Sequence, residues 1–316
     1  MSMQRRIWTA VAMVGIGALA LSGCAASGSN QAADKFTIGL VEIDLQDPDL
    51  AVMTKAMKEE ADKLGVELVV GDSKKDVATE LTQVEDMITK KVDAIIIQPL
   101  DGDASQKAAE AAIAAGIPLF TLSTEFSDGA TIDLKSYIGV DDTLAGEMQA
   151  EYLNELLPDG GPIILAAGTY GASWTDRRVT GLKNKLNANI KIVDEFQADG
   201  SRDKAKTKME DVLQRYPSGQ IVAVVANNDE MALGAASAIA DAGRTSEFKV
   251  LGVDGTAPAV EAIANGEMAA TVRQESAAQG VKAVQVVLDF LNGKPIEKRY
   301  TLPFVLINSD NVADYK

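Results

Sequence analysis

The chain has 316 residues, of which 46 are acidic and 30 are Lys or Arg, so its formal net charge is −16. This length suits one large domain or two ordinary ones, and an apolar content of 47% is enough for a buried core. The negative charge argues against nucleic-acid binding through a basic surface. The sequence has no His and a single Cys, which excludes Ser-His-Asp triads, Cys-His pairs, zinc sites and intramolecular disulfides.

The first 23 residues have the pattern of a secretory signal peptide. Arg5 and Arg6 precede an uncharged run, residues 7–21, which is shorter than the roughly 20 residues that a membrane-spanning helix needs. The small residues before Cys24 resemble the lipobox of bacterial lipoproteins, in which this Cys is acylated and becomes the first residue after cleavage. We therefore predict an exported protein, anchored to the cell membrane through lipid on Cys24, at the cell surface or in a periplasm.

A polar tether and a folded body follow the signal peptide. Residues 24–34 are small and polar, which predicts a flexible tether, and the folded body is expected to begin near Lys35. The pattern then predicts strands and helices in alternation: strand 36–41, helix 51–64, strand 66–70, helix 78–90, strand 94–98, helix 104–115 and strand 117–122.

A second series has the same rhythm. It comprises helix 144–156, strand 162–167, helix 175–186, strand 190–196, helix 205–215, strand 221–226, helix 231–242 and strand 249–253, then a short helix near 259–264, a strand near 269–272 and a long helix through 291. Strands of nearly continuous Ile, Val and Leu are typical of parallel sheets that helices cover on both faces. We therefore predict two α/β lobes, in which ligands bind outside the carboxyl ends of the strands.

Polar side chains follow nearly every predicted strand. In the first half they are Asp44, Asp47, Asp49, Asp72, Ser73, Asp101, Ser123, Thr124 and Glu125. In the second half they are the stretch 168–178 with Trp174, Arg177 and Arg178, then Asn227, Asn228, Asp229, Asp254 and Gln274. Carboxylates and amides can accept hydrogen bonds from both hydroxyls of a vicinal diol. Arg donates parallel hydrogen bonds from its planar guanidinium group. A phosphate would require Gly-rich turns or more cations, so the set favours a neutral polyhydroxylated ligand.

Several of these residues also have a purely structural interpretation. Asn228 precedes an apolar helix and is a typical N-cap, and Trp174 is either a core residue or a stacking surface. The acidic cluster after the first strand is compatible with solvated turn residues, with ligand contacts or with a calcium site, although its spacing is not that of an EF-hand: Asp44, Asp47 and Asp49. Three more residues are interpreted as turn formers: Asp72, Ser73 and Asp101.

Three stretches of the second half form a recognisable set: 226–235 (ANNDEMALGA), 252–256 (GVDGT) and 270–274 (ATVRQ). Together with residues 60–65 (EADKLG) and Asp47-Pro48, they resemble the ribose-type sugar-binding proteins of bacterial ABC transporters, which are type I periplasmic binding proteins. The resemblance runs from about Lys35 to Phe304. It implies an α/β fold of two Rossmann-like lobes, each a parallel sheet with helices on both faces, joined by a three-segment hinge. The implied lobes are 35–138 plus 275–302 and 139–274 plus 303–316.

The resemblance carries ligand contacts to four positions of the second lobe: Arg178, Asn228, Asp254 and Gln274. In the first lobe, ribose-type proteins have two aromatic residues after the first-loop Pro, where this chain has Asp49 and Leu50, and Asp-Arg after the fourth strand, where it has Ser123 and Thr124. We therefore predict a pentose-sized sugar or sugar alcohol other than ribose, with Trp174 as the stacking surface. The predicted ligand-binding set is Asp47, Asp49, Ser123, Thr124, Glu125, Trp174, Arg178, Asn228, Asp254 and Gln274.

The predicted function is that of a monomeric solute receptor, which closes over a small neutral sugar or polyol and delivers it to an ABC permease in the membrane. No catalytic residue, cofactor, metal or nucleic acid is predicted. A receptor for a signalling furanose or a nucleoside is the alternative within binding proteins. A sugar-responsive repressor would begin with a helix-turn-helix instead of an export signal, and an exported glycosidase with a carboxylate pair is the remaining enzymatic alternative.

Overall fold

The computed structural model of the protein describes residues 35–316, so the predicted signal peptide, Cys24 and the tether lie outside the described residues. The first part comprises β1 (Thr37–Glu42), α1 (Pro48–Leu64), β2 (Glu67–Asp72), α2 (Val77–Lys90), β3 (Ala94–Ile97), α3 (Gln106–Ala114), β4 (Leu119–Leu122) and β5 (Leu134–Gly139). The middle part comprises α4 (Asp142–Leu156), β6 (Gly161–Ala167), α5 (Ser173–Lys185), β7 (Ile190–Gln197), α6 (Arg202–Arg215), β8 (Ala223–Ala226) and α7 (Asp229–Asp241). The last part comprises β9 (Lys249–Asp254), α8 (Ala257–Ala264), β10 (Ala270–Gln274), α9 (Ser276–Leu291), β11 (Arg299–Thr301) and β12 (Phe304–Asn308).

The helix ends follow from local sequence signals. Asp47 caps α1 by accepting hydrogen bonds from the backbone N–H groups of the next turn, and Pro48 occupies the first helical position, where its missing N–H is not needed. Gly65 ends α1 in the left-handed conformation, with φ of 71°. The capping residue Asp47 follows the carboxyl end of β1, so the N-terminus of α1 lies at the carboxyl edge of the sheet.

The strands form two six-stranded sheets. The first has the order β11-β5-β4-β3-β1-β2 and is parallel throughout, and the second has the order β12-β10-β9-β8-β6-β7, in which only β12 is antiparallel to its neighbour. The chain passes between the sheets three times: after β5, after β10 and after β11. This is the expected α/β fold of two lobes, each with its own sheet.

Helices cover both faces of each sheet and bury apolar clusters against them. In the first lobe, α1 and α9 pack on one face around Met53 and Val284, and α2 and α3 pack on the other around Val84 and Ala109. In the second lobe, α6, α7 and α8 bury one face and α4 and α5 bury the other. Burial on both faces explains the nearly continuous apolar strands.

Two glycines set the close approach of α4 and α5. A Cβ atom added to Gly146 would collide with the carbonyl oxygen of Arg178, and one added to Gly181 would collide with that of Thr143. Without side chains at these two positions, the helix backbones come into direct contact. This contact brings Asp142, at the start of α4, next to Arg178 on α5.

Three strands were not predicted from the sequence: β5, β11 and β12. β5 contains Lys135 and Ser136, and β11 has only three residues, so neither has a strong apolar pattern of its own. Both lie at the end of the first sheet, where pairing with a distant strand defines them. Within residues 35–316, no helix combines the length and the apolar content needed to cross a bilayer.

Candidate functional site

A cleft of about 500 Å³ lies between the lobes, at the carboxyl ends of the strands of both sheets. The structure brings nine of the ten predicted ligand-binding residues to its wall: Asp47, Asp49, Ser123, Thr124, Trp174, Arg178, Asn228, Asp254 and Gln274. These residues come from six separate segments of the chain, and they meet because parallel strands direct the loops that follow them to the same edge.

Arg178 is the buried cation of the cleft. Its Nε donates to Asp142 Oδ1 at 2.8 Å, one terminal nitrogen donates to the carbonyl oxygen of Asn227 at 2.6 Å, and the same nitrogen lies 3.7 Å from Asp254 Oδ1. Burial alone would lower the pKa of Arg178, but Asp142 and Asp254 outweigh it and raise that pKa. The guanidinium is therefore held charged and in a fixed orientation at the cleft wall.

A hydrogen-bonded bridge beside Arg178 joins the two lobes. The side-chain Nε2 of Gln274, at the end of β10, donates to Asp254 Oδ1 at 2.8 Å and to Asp49 Oδ2 at 3.1 Å. The hydroxyl of Ser276 also donates to Asp49, at 2.6 and 2.7 Å from its two oxygens. Two carboxylates that are 205 residues apart, Asp49 and Asp254, thus share one amide donor.

A buried carboxylate fixes the loop that carries Asp254. Asp254 has φ of 127°, a conformation that a residue with a side chain rarely adopts. Behind it, Asp229 accepts hydrogen bonds from the backbone N–H and the hydroxyl of Thr256, at 2.8 and 3.1 Å, and from the hydroxyl of Thr271 at 2.6 Å. Thr271 also accepts from the backbone N–H of Gly255. These contacts hold the strained residue in place.

Burial shifts the carboxyl groups of the cleft toward their protonated forms. It raises the pKa of Asp49 to about 7, with the Ser276 hydrogen bond opposing the shift and the neighbouring Asp47 adding to it. Burial also raises the pKa of Asp254 well above its ordinary value, with Asp49 adding and Arg178 opposing. Repulsion between carboxylates that share a dry site disfavours the simultaneous ionisation of all of them.

Two residues act both as helix caps and as parts of the cleft wall. Asp47 Oδ1 accepts from the backbone N–H groups of Asp49 and Leu50, at 3.0 and 3.3 Å. Asn228 Oδ1 accepts from the backbone N–H of Met231 at 3.0 Å, as its capping interpretation predicts. Both residues also line the cleft. Capping and cleft lining are therefore compatible, because the first turns of α1 and α7 face the cleft.

Trp174 presents one part of its ring to the core and another to the cleft. It packs against the apolar cluster of α6, α7 and α8, and it also lines the cleft. The guanidinium carbon of Arg178 lies 5.3 Å from its ring centroid, a cation–π distance. The two interpretations of this residue, core and stacking surface, both describe part of its environment.

Glu125 is the one residue of the predicted ligand-binding set that lies outside the cleft lining. Its carboxylate pairs with Arg177 and Arg299, and its backbone N–H donates to Ser173 Oγ at 2.8 Å. Arg177 pairs with one carboxylate oxygen of Glu125 and Arg299 pairs with the other, so both oxygens are already occupied. Arg177 and Ser173 belong to the second lobe, so Glu125 contributes to contacts between lobes outside the cavity.

Sequence reasoning missed several residues of the cleft wall. Gln98, which follows β3 directly, is absent from the predicted set, and Asp101 is predicted only as a turn former, although both line the cleft. Asp101 does stabilise a turn, because its Oδ1 accepts from the backbone of residues 103 and 104. The remaining polar residues missed are Lys75, Thr169, Asp199, Ser201 and Lys204. The position of Gln98, directly after β3, could have identified it as a cleft residue. The polar residues after β7, including Asp199 and Lys204, have no sequence pattern that distinguishes them from a solvent-exposed turn.

The acidic cluster after β1 does not form the calcium site that was one alternative. Asp44 pairs with Lys75 at 3.3 Å, Asp47 caps α1, and Asp49 accepts from Ser276 and Gln274. The three carboxylates thus serve separate contacts. Within residues 35–316, no group of three or more potential ligands is arranged to hold a metal ion.

A two-lobed α/β fold with a polar cleft between the lobes defines a solute-binding protein of the periplasmic type. The chain belongs to the periplasmic binding protein domain family, whose sequence profile matches residues 38–295. This family consists of extracytoplasmic binding proteins rather than enzymes. The expected fold and family are therefore confirmed.

Named relatives cover nearly the whole chain. The ribose import binding protein of Bacillus subtilis is 34% identical over 86% of this chain and 87% of its own length. The xylitol-binding protein of Mycolicibacterium smegmatis is 28% identical over 96% of this chain and 86% of its own length. Among solved structures, an ABC transporter solute-binding protein from Bacillus halodurans with bound myo-inositol has a TM-score of 0.83 and 32% identity, covering 89% of this chain and 97% of that one.

Proposed function

We propose that this protein is the solute receptor of an ABC importer and binds a small sugar or sugar alcohol, pentose-sized and other than ribose, between its two lobes. One observation carries the proposal: Asp49 of the first lobe and Arg178, Asp254 and Gln274 of the second converge on one cavity. Each is polar and buried, so each must find a hydrogen-bonding partner when the cleft is filled.

The chemistry of the cleft wall suits a polyol. Carboxylate oxygens accept hydrogen bonds from hydroxyl groups, and Arg178 and Asn228 supply hydrogen-bond donors. Trp174 offers an apolar face for the C–H surface of a sugar. An unpaired buried polar group costs about 1–3 kcal/mol, so a ligand that leaves one of these groups unmatched loses affinity. The xylitol and myo-inositol in the names of the relatives support a ligand of this class.

Ligand binding is coupled to closure of the lobes. A ligand favours the closed form only through contacts that it makes in that form, and here such contacts require both Asp49 on α1 and Asp254 on β9. The three chain passages between the sheets supply the hinge. We propose lobes of 35–138 plus 275–302 and 139–274 plus 303–316, which agree with the membership of the strands in the two sheets.

We further propose that the receptor is a monomer, anchored to the membrane through lipid on Cys24. The uncharged run and the small residues before this Cys support the anchor. Mass spectrometry of the protein from membranes of an expressing bacterium should detect an acylated Cys24 as the first residue. The Cys24→Ser variant should lose the lipid and leave the membrane fraction, and its retention there would contradict the anchor.

A ligand screen tests the receptor function directly. We expect at least one pentose, pentitol or cyclitol to raise the melting temperature and to shift the emission of Trp174, the only Trp after residue 23. Asp254→Ala should abolish this shift while the protein still unfolds cooperatively, whereas Asp241→Asn, which removes a carboxylate that pairs with Lys206 on the surface, should preserve it.

The screen also separates the alternatives. A response to nucleosides alone would replace the proposal with a nucleoside receptor, and a response confined to furanoses would favour a furanose receptor. Wild-type affinity in the Asp254→Ala variant would show that the cleft is not the binding site. Conversion of a bound sugar, followed by NMR over hours, would indicate an enzyme.

A further inference from the structure

The inner wall of the cleft contains more acidic than basic groups. Asp49 and Asp254 are buried side by side, and Asp47 lies next to them. Of the described residues that line the cleft, Arg178 is the buried cation, and Asp142 behind it already balances its charge at 2.8 Å. Arg178 also lies 3.7 Å from Asp254 Oδ1, so this one guanidinium faces the carboxylates of Asp142 and Asp254, and Asp49 has no cation in direct contact among the described residues.

Two lysines also line the cleft but do not neutralise this pair. The Nζ atom of Lys75 lies 3.3 Å from Asp44, and that of Lys204 lies 2.7 Å from Asp199. Their side chains are 36% and 60% exposed, which places both charges toward solvent. Each lysine thus has a carboxylate partner at the rim, and exposed pairs of this kind have little influence on a buried group.

Two unpartnered polar atoms mark the same cavity. Gln98 Oε1 and Thr124 Oγ1 have no hydrogen-bond partner within residues 35–316, although both side chains are at least nine-tenths buried and both line the cleft. An amide oxygen is an acceptor only. Gln98 therefore adds an unpaired acceptor to a cavity in which Asp49 accepts from Gln274 and Ser276 and Asp254 accepts from Gln274.

We propose that the cleft also takes amine-bearing sugars or sugar alcohols, whose protonated amino group binds beside the carboxylates of Asp49 and Asp254. This inference rests on the proposed function, and it adds a ligand class to the neutral one. An ammonium group brings three donors and no acceptor, whereas a hydroxyl brings a single donor. It also adds a second positive charge to a wall where Arg178 already faces two carboxylates, Asp142 and Asp254, and hydrogen bonds between ionised groups are stronger than those between neutral ones.

Matched pairs of ligands test this inference on the unmodified protein. The probes are xylitol, ribitol, sorbitol and myo-inositol, each compared by calorimetry with its monoamino-monodeoxy analogue at pH 7.5. We expect at least one amino analogue to bind about tenfold tighter than its neutral parent, as a charge-assisted hydrogen bond allows. N-acetylation of that analogue, which removes the charge, should abolish the gain. A monocarboxylate analogue of the same polyol should bind more weakly than the neutral parent.

A variant then assigns the gain to the carboxylate pair. In Asp49→Asn, which keeps the size of the side chain, the ratio of the two affinities should fall to about one. Asp241→Asn removes one negative charge far from the cleft and should leave this ratio unchanged, which controls for net charge.

The outcomes distinguish the two proposals. If neutral polyols bind and no amino analogue exceeds its parent, the inference is wrong and the receptor function stands. If neither member of any pair binds, the inference is wrong, and if the screen of pentoses, pentitols and cyclitols is negative as well, the receptor function itself is wrong. An amine preference that persists in Asp49→Asn would place the ammonium group elsewhere and overturn the assigned subsite.

Discussion

Asp254 combines a strained backbone conformation with a side chain that lines the cleft. Its backbone adopts φ of 127°, its carboxylate accepts from Gln274, and it lies 3.7 Å from the guanidinium of Arg178. The buried Asp229 behind the loop, with its three donors, stabilises this arrangement. A strained residue that is held by surrounding contacts is typical of a functional site.

Substitution of Asp254 can separate these two roles. Asp254→Gly and Asp254→Ala both remove the carboxylate and should both lose ligand binding. Only Gly adopts the required φ without strain, so Asp254→Gly should be more stable than Asp254→Ala by about 1 kcal/mol. Urea unfolding of the two variants measures this difference. Equal stabilities would mean that the backbone at this position is not strained.

At the scale of elements, the crossing of α4 and α5 positions the binding residues of the second lobe. Gly146 and Gly181 allow the backbones to touch, and this contact places Asp142 within 2.8 Å of Arg178. The side chain of Gln149, also on α4, donates to the carbonyl oxygens of Ala226 and Gly252, at 2.8 and 3.1 Å. The helix is thereby joined to the two strands that end at the cleft.

Gly146→Ala should therefore affect stability and binding together. The added methyl group meets the backbone of α5, so the helices must separate, and overpacking of this kind costs about 1–3 kcal/mol. Because Arg178 moves with α5, affinity should fall as well. Glu155→Ala, at an exposed position of the same helix, is the matched control and should change neither property. An unchanged melting temperature in Gly146→Ala would contradict the close contact.

The sequence predicted most elements because their patterns are local. Strands such as β3, with the sequence AIII, and helices that begin at capping residues such as Asn228 were recognisable without partners. By contrast, β5, β11 and β12 depend on pairing between distant segments, and the tight glycine contacts depend on how two helices meet. The site residues were predictable where a polar residue directly follows a strand. The pairing of Glu125 with Arg299 was not predictable, because the two residues are 174 positions apart and no local pattern connects them.

At the scale of the whole molecule, buried carboxyl groups dominate the electrostatics. Burial raises the pKa of Glu42 to about 8 and that of Asp229 to about 7, in addition to the shifts at Asp49 and Asp254. These groups lie beneath or beside the cleft, on both lobes. Since the sequence contains no His, few other groups titrate between pH 5 and 8.

Stability should consequently decrease as the pH rises across this range. The folded protein retains protons on these carboxyl groups up to pH 7 or 8, whereas the unfolded chain releases them near pH 4, so the folded state binds more protons in between. The free energy of unfolding should therefore be lower at pH 8 than at pH 6, by on the order of 1 kcal/mol per shifted group. Urea titrations at a series of pH values measure it. A flat or rising profile would show that these groups are ionised in the folded protein.

The cleft residues differ in how firmly the surrounding chain holds them. Arg178 and Asp254 are braced from behind by Asp142 and Asp229, whereas the hydroxyl of Thr124 has no hydrogen-bond partner within the described chain. Substitution of Arg178 or Asp254 breaks hydrogen bonds or ion pairs with neighbouring residues. Substitution of Thr124 breaks no side-chain hydrogen bond within residues 35–316. Retargeting this receptor to a new compound, for instance as a biosensor, should therefore begin at the loop after β4 and leave the opposite wall untouched.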